Sequence, residues 1–271
     1  MQGPARHVNR LGGARVLIFG GTSGIGFAIA SMALSYGASV VICGSSQPKV
    51  DSKLALLRSL YPSLSPSQSF GHAIDLLATE TLEANLRTML DDLTSNGSRK
   101  LDHIAFTAGD SHSIPSLSTL TIDEATHGSK IRLLAPLILA KLLSTGHYMP
   151  LSTSSSFTLT GGVGTTKPLP GWLVPCIWGS ALEGLSRGLA VELAPLRVNI
   201  VKPGAVETEM LGSLLGGLGE EAKERMKKEL NLLGEFERPE DIAEAYGWIM
   251  RDRGVTGTEV AVDGGQVLLS K

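Results

Sequence analysis

Cysteine is scarce in this sequence: Cys43 and Cys176 are the two in 271 residues. Two are too few for a disulfide framework, and neither stands in a metal-ligand spacing such as CxxC, so both read as small core hydrophobes and no metal site is expected. Charge of one sign is lacking as well. Lys plus Arg number 24 against 26 Asp plus Glu, a formal net charge of -2, which leaves no basic field to collect nucleic acid or anionic lipid. Long hydrophobic runs are absent too. Residues 1–7 contain no apolar h-region, and the most apolar helical stretch, Ile131 to Leu143, is interrupted by Arg132 and Lys141. These absences point to a small-molecule protein of the cytoplasm, with neither a nucleic-acid nor a membrane partner.

What is present is a 42% hydrophobic chain with 32 glycines, the composition of a compact protein with a buried sheet and many tight turns. The length suits one large domain. After a polar N-terminal extension at 1–13, residues 14–271 are expected to form that domain. Short apolar runs predict strands at 15–19 and 38–43, and the alternation that they begin continues with strands at 69–74, 101–107, 156–160, 197–201 and 258–262. Helical periodicity falls between them, at 25–34, 49–60, 79–94, 122–143, 177–193 and 239–250. Strand–helix alternation with short connections predicts an α/β fold: a doubly wound, Rossmann-type parallel sheet of about seven strands with helices on both faces. Residues 211–236 break the rhythm, opening with Gly212, Gly216, Gly217 and Gly219 before the charged helix 220–230. They read either as a substrate lid or as a solvated surface helix.

Gly20-Gly21-Thr22-Ser23-Gly24-Ile25-Gly26 lies between the first strand and the first helix, where a phosphate-binding turn belongs. Gly20 permits the tight turn, Gly24 the approach of backbone to a diphosphate, and Gly26 the close packing of helix on sheet. The helix N-terminus adds N–H groups and a positive dipole end.

The GxxxGxG spacing resembles the short-chain dehydrogenase/reductase family, and further matches follow in order. Asp75, with Leu76 beside it, is similar to the family's adenine-side acid. Thr107-Ala108-Gly109 is similar to its Asn-Ala-Gly motif. Arg197 to Gly204, continuing through Val206 to Thr208, resembles the segment that holds the nicotinamide amide, and Val262-Asp263-Gly264-Gly265 the terminal signature. The resemblance covers residues 14 to 265. It implies cofactor contacts from these positions and from Thr22, Ser23 and Ile25, and assembly as a homodimer or homotetramer through the helices at 122–143 and 177–193.

Coenzyme choice is made at the end of the second strand, where a carboxylate would accept bonds from a ribose 2′-hydroxyl and repel a 2′-phosphate. Gly44 stands there, followed by Ser45, Ser46 and then Lys49, so NADP(H) is expected in preference to NAD(H), although the family's usual NADP-selecting arginine is absent.

The catalytic positions depart from the family. Its chemistry uses a Tyr whose pKa is lowered by a Lys four residues on, helped by a Ser and an Asn. Aligned on Ser180-Ala181-Leu182-Glu183-Gly184-Leu185, the Tyr position is Pro175, the Lys position Gly179, the Ser position about Gly162 and the Asn position Arg132. None of the four groups remains. The candidates left near the pocket are Arg132, Asp110 and Trp172. Arg132 suits an anionic group of substrate or cofactor, Asp110 a cationic one, and Trp172 a flat ring. Each has a structural alternative: an ion pair between Arg132 and Asp110, a turn cap by Asp110, and a loop core filled by Trp172.

Three readings follow. One is an NADP(H)-dependent reductase of specialised metabolism acting on an imine, an iminium or another activated substrate, like a fungal branch of the family whose alkaloid enzymes reduce an iminium and guide a Diels–Alder closure. Another is a non-redox cyclase or isomerase on the same scaffold. The third is a cofactor-binding protein without turnover.

Overall fold

The computed structural model describes residues 8–110 and 116–270. Residues 1–7 of the polar extension lie outside them.

Seven strands make one parallel sheet: β1 (Arg15–Phe19), β2 (Ser39–Gly44), β3 (Ser69–Ala73), β4 (His103–Phe106), β5 (Ser156–Thr160), β6 (Arg197–Pro203) and β7 (Glu259–Val262). Their order is β3-β2-β1-β4-β5-β6-β7. Each parallel step needs a crossover, and helices supply it: α1 (Gly24–Ser35), α2 (Gln47–Leu60), α3 (Leu82–Thr94), α4 (Ile122–Ser129), α5 (Ala135–Leu143), α6 (Leu173–Glu192) and α9 (Pro239–Arg251). Two more, α7 (Glu209–Leu215) and α8 (Glu220–Leu230), form the region of the expected flap.

The two-residue alternation of a strand divides the core. In β1, Val16 and Ile18 pack with Ile29, Val50 and Ile249 on the α1–α2–α9 face. Leu17 and Phe19 pack with Leu86, Leu139 and Leu189 on the α3–α5–α6 face. Because both faces are covered, β1 and β2 are nearly continuous apolar runs, each fully buried Val, Leu, Ile or Phe contributing about 1.5–3 kcal/mol. Cys43 joins this core, and burial pushes its thiol up to about 12. His103 is buried beside Ser156, and burial holds its imidazole down at about 3, in the neutral form at ordinary pH.

The helix predicted at 122–143 is interrupted. Residues Lys130–Leu134 form a π turn between α4 and α5, with the Ala135 N–H bonded to the Lys130 carbonyl. Pro136 supplies the reason: it has no N–H for the carbonyl of Arg132, and its ring crowds that carbonyl in a regular α-helix. α6 begins at Leu173, earlier than predicted, because Pro175 fits a first turn whose N–H groups have no helical partner. β6 extends to Pro203, since Lys202 and Pro203 still pair with Ala261 and Val262 of β7.

The flap is rooted on a small ladder. Val206 pairs with Glu237, Glu207 N–H donates to the Glu237 carbonyl at 2.8 Å, and Glu237 N–H donates to the Ala205 carbonyl at 3.1 Å. Between these roots α8 buries none of its residues, and Leu215 is the buried residue of α7. The Glu237 carboxyl is buried at the root. Its Oε1 accepts from Asn231 Nδ2 at 2.7 Å, while Oε2 has no hydrogen-bond partner among the described residues. Burial first, and the nearby Asp263 charge after it, push this carboxyl up to about 7.

A glutamate in an unfolded chain titrates near about 4.3, so the folded state holds this proton more tightly and loses stability as pH rises from about 4 to about 7. Glu237→Gln carries no titrating group. Its melting temperature should exceed that of the parent at about pH 8, with the difference closing only as pH falls to about 4 and below. Parallel melting curves across that window would remove Glu237 as the source of the pH dependence.

Candidate active site

The strand order reverses between β1 and β4, opening a crevice beyond their carboxyl ends, the place where open α/β sheets take ligands. The turn after β1 is built for close approach. Gly20 has φ +79°, and a Cβ there would lie 2.7 Å from Thr107 Oγ1 and 2.8 Å from the Ala108 nitrogen. A Cβ on Gly26 would lie 2.3 Å from the Gly20 carbonyl oxygen. Both cradles are closed to any other residue. Gly24 has φ +47°, and Ser23, the N-cap of α1, makes no side-chain cap bond. The first-turn N–H groups at Gly24, Ile25 and Gly26 are therefore not capped by Ser23 and suit an anion such as a diphosphate.

At the end of β2, a Cβ on Gly44 would meet Thr22 Cγ2 at 2.6 Å and Val50 Cγ2 at 3.2 Å. The buried Thr22 side chain thus excludes an acidic side chain at that point. Ser45, Ser46 and Lys49 are exposed just beyond it. Asp75 is exposed after β3, its Oδ1 accepting from Leu77 N–H at 2.9 Å, and Leu76 is buried beneath.

Across the crevice, Thr107 Oγ1 donates to the Phe19 carbonyl at 2.8 Å and clamps β4 to β1. Ala108 packs on the core behind it. After β6, Gly204 N–H donates to the Val262 carbonyl at 3.0 Å, and a Cβ on Gly204 would lie 3.0 Å from Asp263 Cα. The Pro203-Gly204 corner and the Asp263-Gly264-Gly265 turn are thereby one packed unit. Val206 is buried, and Thr208 caps α7, accepting from Leu211 N–H at 3.3 Å. The residues present fit a dinucleotide lying over the ends of β1, β2, β4 and β6.

Beside the nicotinamide end, the family's acid–base positions hold other side chains in another arrangement. A Cβ on Gly179 would lie 2.7 Å from Thr165 Cγ2, so the loop after β5 closes over the place of the missing lysine. That loop is pinned from two sides. Thr165 Oγ1 bonds to Glu183, and Lys167 Nζ donates to the Leu269 carbonyl at 2.7 Å. Beneath it the buried Lys202 ammonium pairs with Glu183 at 2.7 Å and Glu259 at 3.2 Å, and donates to Thr166 Oγ1 at 2.9 Å. Tyr246 offers no substitute for the lost tyrosine. It is fully buried under β5 against Thr160, and burial raises its hydroxyl pKa.

Arg132 lies against the segment that follows β4. Its Nη2 donates to the Asp110 carbonyl at 2.8 Å, its Nη1 lies 3.5 Å from Asp110 Oδ1, and its guanidinium stacks 4.8 Å from the Trp178 ring centre. A Cβ on Gly109 would fall 2.2 Å from Arg132 Nη1, so the glycine after β4 makes room for this cation. Burial draws the guanidinium below its ordinary pKa, and Asp110 opposes that pull. His127 Nε2 lies 3.0 Å from Asp110 Oδ2. Trp172 stands at the N-cap of α6, half-buried, and the ring stacked on Arg132 is Trp178.

His127 and Trp178 carry no motif in the sequence. Five residues separate His127 from Arg132, a spacing that leaves an α-helix face, but the π turn returns both to one side, against Asp110. Pro136 was the available signal.

The family model described as an SDR-like Rossmann domain matches residues 7–269. The chain is 41% identical over 259 residues to the short-chain dehydrogenase/reductase malC of Malbranchea aurantiaca, covering 95% of this chain and 96% of that protein. The solved structure of that MalC reductase/Diels–Alderase superposes with a TM-score of 0.88, covering 96% of this chain and 98% of the other. Identity to the short-chain dehydrogenase/reductase fsr5 of Gibberella fujikuroi is 35% over 265 residues, 97% of this chain and 98% of that one. A short-chain dehydrogenase of Burkholderia cenocepacia, solved in complex with NADP, shares the fold at a TM-score of 0.80 and 24% identity, covering 95% of this chain and 99% of that one.

Writing the family's pair back, as Pro175→Tyr with Gly179→Lys, should not restore ketone reduction. The new lysine collides with Thr165, and overpacking of this kind costs about 1–3 kcal/mol. A lowered melting temperature with no gain in ketone-dependent NADPH oxidation is the expected result; ketone turnover by the double variant would refute this account of the loop.

Proposed function

This chain belongs to the short-chain dehydrogenase/reductase family, and on that premise we propose that it is an NADP(H)-dependent reductase of specialised metabolism that reduces an iminium, an imine or a similarly activated substrate. The observation that carries this reading is the pairing of a complete dinucleotide cradle with an acid–base site replaced by the Arg132–Asp110–Trp178 cluster. The first-turn N–H groups of α1 would hold the diphosphate, Ser45, Ser46 and Lys49 a ribose 2′-phosphate, and Thr107, Val206 and Thr208 the nicotinamide side. The expected preference for NADP(H) over NAD(H) rests on the side-chain-free end of β2.

When bound, NADPH supplies a hydride. Hydride addition to the carbon of an iminium sends the π electron pair to nitrogen and leaves a neutral amine, so no protein group has to deliver a proton. Pro175 and Gly179 are then no handicap. Ketone reduction would leave an alkoxide that needs one.

Arg132 is the positioning cation of this pocket. Its guanidinium is held on three sides, by Asp110, Trp178 and Gly109, so its planar fork meets a substrate carbonyl or carboxylate with little ordering left to do. Asp110 balances that charge and supplies a negative field for a cationic substrate. Trp172, at the head of α6, is the candidate ring for stacking on a flat substrate. Ile122, Leu134, Leu137, Ile177 and Val191 are exposed apolar residues on α4, the π turn, α5 and α6, and they support a homodimer or homotetramer built on those helices.

A second reading draws on the solved relative named a reductase/Diels–Alderase, which at 40% identity supports cyclisation on this scaffold. Incubation with NADPH and a panel of cyclic iminium substrates separates the two. Amine formation with stoichiometric NADPH oxidation supports the reductase, whereas cyclised product without net oxidation supports the cyclase. Arg132→Lys keeps the charge but loses the fork, and loss of a charge-assisted hydrogen bond predicts a fall in kcat/KM of about 10- to 100-fold with the NADPH dissociation constant unchanged. Equal activity of Arg132→Lys and parent would remove Arg132 from substrate positioning.

A further inference from the structure

Glu209 opens α7, and its carboxylate reaches across the crevice to α2, lying 3.7 Å from Lys49 Nζ and 3.9 Å from Lys53 Nζ. The two lysines occupy successive turns of one helix, and Lys53 is also held 5.7 Å over the Phe27 ring of α1. The residue before Glu209 is equally placed, since a Cβ on Gly24 would lie 2.9 Å from Thr208 Cγ2. The first turn of the flap therefore stands over the diphosphate turn and over the cations beside Ser45 and Ser46. Behind it a cleft of about 550 Å³ separates the flap from α1 and α9, lined by Phe27, Leu211, Leu215 and Phe236 among others. The flap thus spans the mouth of the crevice with little packed core beneath it.

We propose that Glu209 is a latch: it holds α7 down on Lys49 and Lys53, and a phosphate on the adenosine ribose takes those cations from it and releases the flap. This rests on the NADP(H) reading given above. A carboxylate carries one negative charge, whereas a phosphate monoester carries about -1.5 to -2 near neutral pH with three acceptor oxygens, so the phosphate is the stronger partner for two ammonium groups. Glu209 is 67% exposed in its side chain, so the pair is solvent-screened and weak enough to exchange. Gly44, held bare by Thr22, offers no second carboxylate at the end of β2 to compete. The latch would then cost NADP(H) some affinity rather than add to its selection over NAD(H), and it would couple the phosphorylated ribose alone to flap opening, since only that phosphate displaces Glu209 and lets Thr208 leave Gly24.

The test is hydrogen–deuterium exchange of residues 209–230 in the full chain, with calorimetric titrations of NADPH and NADH. Without ligand, Glu209→Gln should raise flap exchange about threefold, the scale of one exposed ion pair. Adenosine 2′,5′-bisphosphate should raise it in the parent and add nothing in Glu209→Gln, and adenosine 5′-monophosphate should leave the parent unchanged. NADPH affinity should tighten about threefold in Glu209→Gln, with a smaller change for NADH. Identical flap exchange in parent and Glu209→Gln, or bisphosphate binding that leaves the parent's flap protected, would overturn the latch. If the parent instead binds NADH more tightly than NADPH, the coenzyme assignment fails, and the ligand-free exchange comparison still decides whether Glu209 holds the flap.

Discussion

The structure depends on one close approach, the contact of the β1–α1 turn with the end of β4. Thr107 spends its hydroxyl on the Phe19 carbonyl and sets its side chain against Gly20 and Gly26, where no Cβ fits. That contact seats α1 on the sheet, aims its N-terminus into the crevice, and fixes the level at which Ala108, Gly109 and Asp110 leave β4. A family member with Asn at this position would have an amide in the same place. Threonine keeps the clamp with one hydroxyl and a methyl group.

Beyond that fixed edge, glycines make room for the side chains that meet there. Gly109 admits the Arg132 guanidinium, Gly128 admits the Trp178 ring, and Gly179 admits Thr165. On the proposed reading, a fixed cation would serve where the family uses a mobile proton. Arg132 has no proton to give at ordinary pH, so on the reading proposed above it would contribute orientation and field. The flap obeys the opposite logic. Its helices bury little, and they are tied down by the Glu237 root and the Glu209 ion pairs, contacts that respond to charge rather than to packing.

Much of this was open to reading in the chain. Apolar runs at β1 and β2 mark strands covered on both sides, because a strand with one wet face would alternate; β5, Ser-Phe-Thr-Leu-Thr, alternates and is buried all the same. Gly20, Gly24 and Gly26 mark the turn, because a backbone with positive φ or a sub-van-der-Waals neighbour admits no other residue. The loss of the Tyr and Lys groups is likewise visible, since Pro175 and Gly179 have no side chain that could act in their place. The Arg132–Asp110 ion pair was among the alternatives open to reading, but the other side chains that join it were not. Trp178 and Trp172 are equivalent in sequence, six residues apart on the same segment, and the fold selects Trp178 by placing it on the Arg132 side of α6. His127 joins Asp110 because a π turn, driven by Pro136, shifts helical phase by one residue, and periodicity arguments assume a constant phase.

The sequence by itself therefore determined the layered parallel sheet, the dinucleotide turn and the absence of the family's proton donors, since each is a local property of residue type and spacing. Tertiary structure alone decided that Arg132, Asp110, His127 and Trp178 form one cluster, and that Glu209 faces Lys49 and Lys53 across about 150 residues of chain. The physical reason is that such contacts depend on crossover paths and helix phase, which place side chains within a few ångströms of each other only after the sheet has closed around its core.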